Sequence, residues 1–159
     1  MATVHEIEQR LFSWAPRESA MDWDNIGHLV GDPEQEVKSI VVALDITERV
    51  VQEAIDCGAQ LIVSHHPVMN VRWHEREMQS LRPDTRLGGL LTMLVKNDIS
   101  AICMHTNLDA AEGGVNDVLA DLFGIRQRTI FADGCGRVGD IDPITVPELA
   151  ALAQCKLAA

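Results

Sequence analysis

An α/β fold, with a mostly parallel or mixed sheet flanked by helices, is the class this sequence predicts, and three observations carry it. "VKSIVVALD" and "AQLIVSHH" are β-rich apolar runs on either side of a helical run, so Val37 to His66 has the length of a right-handed strand–helix–strand crossover. A second unit of the same kind follows, with "RLGGLLTMLVKND" as helix and "ISAICMH" as strand. Finally, 159 residues with 47% hydrophobic content suffice for one buried core, which predicts a single α/β domain over residues 1–159.

In chain order, Thr3 and Glu6 have capping-box spacing, and Val4, Ile7, Leu11 and Phe12 recur at helical intervals, so a first helix is predicted from Thr3 to Trp14, ended by Pro16. "NIGHLVGD" and "VKSIVVALD" read as strands bounded by Gly, Asp and Pro. Thr47 can cap the next helix, which gathers Val50, Val51, Ala54 and Ile55 on one side and stops at Gly58. After the second crossover, "NDVLADLFG" predicts a helix closed by Gly124, and "CGRVGDI" a further strand. "ITVPELAALAQCKLAA" opens with Thr145 and Glu148 in capping-box spacing and continues in good helix formers. Asn70 to Arg86 is the longest stretch without periodicity, a length often associated with functional loops.

The formal net charge of -11 argues against a nucleic-acid surface or an anionic-membrane surface, either of which needs a clustered basic face. Cys57, Cys103, Cys135 and Cys155 form no CxxC pair, which argues for a reducing compartment and against a disulfide or zinc-ribbon framework. With a polar amino-terminal stretch and no apolar run of spanning length, the expectation is a cytoplasmic protein.

Ligands of open parallel sheets bind beyond the carboxyl ends of the strands. Three predicted strands end there in polar groups: Asp45, the pair His65 and His66, and the "HTNLD" run from His105 to Asp109. Pro67 holds His66 in extended geometry, so the rings of His65 and His66 should diverge, and two ions with one imidazole each fit better than one shared ion; Asp109 would add a carboxylate oxygen to one of them. An adjacent pair has no closed ligand spacing, so hydrogen-bonded structural histidines are an equal alternative at this point. Asp45 could cap the Thr47 helix as readily as ligate. His5, His28 and His74 read as surface or packing residues, Cys103 as a buried small apolar residue, and the scattered methionines as core. The glycines of "AAEGGVND" precede a helix but lack any phosphate-loop spacing.

The succession "WDNIGHLVG", "VVALDIT", "SHHPVM" and "HTNLDAAEGGVND" resembles the YbgI-type dinuclear metal centre family, also described as NGG-one-interacting-factor-three-like proteins and as type 2 GTP cyclohydrolase I homologues. The resemblance covers nearly the whole chain. It implies an α/β fold, divalent metal ions held by His65, His66 and Asp109, with each histidine on one of two ions, and a proton-transfer or supporting role for His105. It further implies that Asn107 orients the loop and that the chains form homo-oligomers, ring-shaped hexamers in the family, with the metal sites facing an interior cavity. His28 stands where the family commonly has an apolar or amide residue. The family's later HxxxE, whose glutamate bridges the metals, has no counterpart before Ala159, so the chain is expected to correspond to the amino-terminal part of a family member, with weak or single-metal occupancy unless another chain supplies ligands.

Zinc, iron, manganese and nickel all suit imidazole with carboxylate. Two functions follow as expectations: a metal-dependent hydrolase acting on a small phosphorylated, nucleotide-like or cyclic-amide substrate through activated water, or a non-catalytic metal-binding or partner-binding protein. An inactive truncated remnant is a further reading. Purine-ring opening would need a nucleobase pocket and a positioned base, and no such pattern is displayed.

Overall fold

A computed structural model describes residues 1–69 and 80–157, which form two compact units, Met1–Asn107 and Leu108–Ala159. Most of the aperiodic stretch from Asn70 to Arg86, with His74 and Met78, lies outside the described residues.

The first unit opens with strand β1 (Ala2–Thr3) and helix α1 (Val4–Trp14). The expected capping box is present: the Glu6 amide donates to Thr3 Oγ1 at 3.2 Å, and the Thr3 amide donates to Glu6 Oε2 at 2.9 Å. β1 pairs antiparallel with β3 (Glu36–Val37). A four-stranded sheet follows, in the order β2 (Gly27–Val30), β6 (Ser100–Cys103), β5 (Leu61–Ser64), β4 (Ile40–Ala43). β4, β5 and β6 run parallel through crossovers made by α2 (Glu48–Asp56) and α3 (Arg86–Lys96), while β2 pairs antiparallel with β6. The sheet is therefore mixed.

"VKSIVVALD" is two strands rather than one. Gln60 explains the break, because its Oε1 accepts from the Lys38 amide at 2.8 Å and the Ser39 amide at 3.2 Å, diverting both from a continuous ladder. β5 and β6 are the inner strands, and Leu61, Ile62, Ala101 and Ile102 are buried. Val51 and Ala54 of α2 and Leu90, Leu91 and Leu94 of α3 pack into the same cluster as Ile62. Gly31 is needed after β2, since its φ is +107° and a Cβ there would lie 2.1 Å from Ser100 Oγ.

The short helix α4 (Thr106–Ala110) leads into the second unit. There α5 (Val115–Leu122) precedes an antiparallel hairpin of β7 (Arg126–Phe131) and β8 (Gly136–Asp140), and α6 (Val146–Leu157) follows. β7 is not apparent in the sequence because "RQRTIF" lacks apolar alternation; it is irregular, with Gln127 at φ 51° and a register shift between Arg126 and Thr129. α6 carries the expected Thr145 and Glu148 cap. Among the described residues no helix is long and apolar enough to cross a membrane.

Candidate metal centre

β5 and β6 are in parallel register with Ser64 opposite Cys103, so the residues just past both strands emerge at the same sheet end. These are His65 and His66 after β5, and Met104 and His105 after β6. The pairing continues one step further, where the Met104 amide donates to the Ser64 carbonyl at 2.9 Å. On the other side, the His65 and His66 amides donate to the Ala43 and Leu44 carbonyls at 3.1 and 2.9 Å.

The rings of His65, His66 and His105 form one group, with one ring nitrogen from each within 4.8 Å of the others. Ring centroids are 5.0 Å apart for His65 and His66, 5.0 Å for His65 and His105, and 5.6 Å for His66 and His105. The expected divergence of the adjacent pair does not occur. Strand alternation ends at Ser64, and the chain bends through His65 and His66, with Ser64 Oγ donating to the His66 carbonyl at 2.8 Å.

Each imidazole is held by an oxygen acceptor. Nδ1 of His65 lies 3.1 Å from the Met104 carbonyl oxygen, Nδ1 of His66 lies 2.7 Å from Asp45 Oδ1, and Nδ1 of His105 lies 2.9 Å from Asp24 Oδ1. A carbonyl or ionised carboxylate can only accept, so Nδ1 carries the proton in all three rings. In the neutral imidazoles the lone pair is then on Nε2, the tautomer in which a histidine supplies Nε2 to a cation. Thus the group could hold a metal ion.

Asp45 serves His66 here. The capping of α2 falls to Thr47, whose Oγ1 accepts from the Val50 amide at 3.3 Å. Asp24, in "WDNIGHLVG", was not among the candidate residues read from the sequence, and 81 residues separate it from His105. Its side chain is 0% exposed. Burial pushes the Asp24 carboxyl up, but hydrogen bonds from the Thr106 hydroxyl, His105, and the Thr106 and Asn25 amides outweigh it and leave the carboxyl below its ordinary value. Trp23 sets its ring edge-on to His105 at 6.1 Å.

Asn107 is fully buried and orients the turn, as expected: its Oδ1 accepts from the His105 amide at 3.0 Å, and its Nδ2 donates to the Ala15 carbonyl at 2.8 Å. Cys103 Sγ donates to the His65 carbonyl at 3.1 Å, and burial together with the Asp24 charge pushes its thiol up to about 12. It is a protonated packing group. His28 bonds the Val30 carbonyl through Nε2 at 2.8 Å, a structural role. Asp109 lies on α4, within the second unit, and its carbonyl accepts from Asn116 Nδ2 at 3.1 Å.

The chain is 38% identical over 130 residues to the GTP cyclohydrolase 1 type 2 homolog of Halalkalibacterium halodurans, covering 82% of this chain and 33% of that protein. To the homolog of the same name from Streptomyces coelicolor it is 36% identical, covering 100% of this chain and 58% of that one. Among solved structures, the protein ybgI, described as of unknown function, superposes with a TM-score of 0.84 at 25% identity, over 99% of this chain and 61% of its own. Reduced HcgD from Methanocaldococcus jannaschii gives a TM-score of 0.83 at 29% identity, over 97% and 60%. The chain thus spans between about a third and about three-fifths of the length of these proteins. With the grouped histidines, this likeness agrees with a match to the Duf34/NIF3 (NGG1p interacting factor 3) model over residues 2–159, and the chain belongs to that family.

Proposed function

We propose that this protein binds divalent metal ions and is a metal-dependent hydrolase of a small phosphorylated or nucleotide-like substrate. His65 and His66 supply imidazole ligands through Nε2, and Asp109, in the "HTNLD" motif that the family resemblance singles out, supplies a carboxylate. When bound, a divalent ion supplies Lewis-acid polarisation of a phosphoryl or carbonyl oxygen and a water of lowered pKa. The donor set fits zinc, iron, manganese or nickel. His105 has a separate task. With its Nδ1 proton directed at the buried Asp24 carboxylate, its Nε2 can take a proton, and the carboxylate stabilises the resulting imidazolium.

The observation that supports this reading best is that all three rings are held by Nδ1 to acceptor oxygens, which presents Nε2 as the basic nitrogen in each. A homo-oligomeric assembly, a hexamer by the family resemblance, belongs to the same proposal and is read by the solution mass. To test the function, the metal-free protein is reloaded with zinc, manganese, ferrous iron or nickel; retained metal and turnover of a panel of nucleotides and phosphodiesters are then measured. Metal-dependent turnover lost in His65→Ala and in Asp109→Ala is the expected result. Retained metal without turnover of any substrate would make this a metal-binding protein, and failure to retain any ion would overturn the proposal.

A further inference from the structure

Arg137, on β8, is 4% exposed in its side chain and uses its whole guanidinium within the second unit. Nε donates to Asp117 Oδ1; Nη1 donates to the Gly134 and Gly136 carbonyls at 2.6 and 3.1 Å; Nη2 reaches the Ala110 and Ala111 carbonyls at 3.3 and 3.4 Å. The last two acceptors are the residues directly after Asp109. The Asp117 that Arg137 holds accepts the Gly113 amide at 2.8 Å, and Asn116 beside it donates to the Asp109 carbonyl at 3.1 Å. Packing is equally close here, since a Cβ on Gly114 would lie 2.0 Å from the Leu108 carbonyl and one on Gly134 would lie 2.9 Å from the Ala110 Cβ.

The carbonyls of Asp109 and of the two residues after it are therefore held by one buried cation and the start of α5. A surface-loop carboxylate would carry no such framework, because Arg137 satisfies carbonyls at the end of α4 that water could otherwise satisfy.

We propose that Arg137 is a positioning residue for Asp109, fixing the carboxylate's approach to a bound divalent cation through the Ala110 and Ala111 carbonyls and through Asp117. The inference rests on the ligand role given to Asp109 above. Lysine cannot reproduce the contacts, since a single ammonium lacks the planar fork that spans several acceptors.

The test measures Mn2+ and Zn2+ affinity by calorimetry on the full chain, for wild type, Arg137→Lys, Asp109→Ala and the double variant, beside thermal melting of the metal-free forms. Supporting partners of metal ligands typically contribute 10–100-fold in affinity. Arg137→Lys is expected to weaken binding by roughly tenfold or more when Asp109 is present and by less than about twofold in the Asp109→Ala background. A purely structural arginine would lower affinity equally in both backgrounds, and that result, or an unchanged affinity in Arg137→Lys, would overturn the inference while leaving the metal reading intact. An Asp109→Ala protein that binds like wild type would overturn the ligand assignment and the inference with it. If Arg137→Lys shows no folded melting transition, Asn116→Ala carries the test, with the same background dependence expected.

Discussion

An imidazole is a useful ligand only when the correct nitrogen is bare, and here the choice is made by three different acceptors: a strand-end carbonyl, a half-exposed carboxylate and a buried one. Their energetic weights differ. The His66 to Asp45 contact is exposed to solvent, where such pairs contribute about 0–1 kcal/mol. His66→Ala is therefore expected to change metal-free stability by no more than about 0.5 kcal/mol while abolishing the rise in melting temperature that added metal produces, measured by calorimetric scans. Asp24 behaves otherwise, because its folded carboxyl lies below its ordinary value. A lowered pKa gives stability that is present above the unfolded value, about 4, and is lost as pH falls through the folded one. The stability advantage of wild type over Asp24→Asn, both metal-free, should be greatest near pH 6–7 and shrink below about pH 4; an advantage that grows in acid would refute this electrostatic account. The role of Asp24 is illegible in the sequence because no spacing rule links a carboxylate before β2 to a histidine after β6. The pair His65 and His66 was legible as a candidate, but its ring directions were not, since they depend on where the strand stops.

At the scale of elements, parallel register does the assembling. Ser64 opposite Cys103 aligns two strand ends, and every ligand candidate of the first unit lies one or two residues past one of them. The helices that maintain this register depend on their caps and close approaches. Thr47→Ala should cost about 1 kcal/mol by removing the acceptor of the Val50 amide, as read by urea unfolding. Gly31→Ala should cost about 2–4 kcal/mol, because a left-handed backbone and a contact with Ser100 both oppose a Cβ. These elements were readable from caps and apolar periodicity, which is why α1, α2, α6 and the two crossovers are where the sequence places them. β7 was not readable, since a polar exposed strand held by hairpin pairing leaves no hydrophobic signal. The break between β3 and β4 likewise depends on one long-range glutamine contact.

For the whole molecule, fold and centre are separable in energy though joined in topology. The core beneath the sheet is aliphatic, and Leu94 at 0% exposure is among its most enclosed members. Leu94→Ala should cost about 2–5 kcal/mol of stability, yet leave metal affinity within about twofold at temperatures well below its melting point. The family and its mixed α/β sheet were legible because the motifs lie at strand ends along one chain order; the way the imidazoles converge required coordinates. Ligation of a cation by His65 and His66 is what the proposed function most directly requires. Anomalous diffraction from crystals grown with saturating Mn2+ or Zn2+ measures this, and the predicted result is a peak about 2.0–2.3 Å from Nε2 of these histidines. Well-ordered rings with no peak at either nitrogen, under saturating metal, would contradict it.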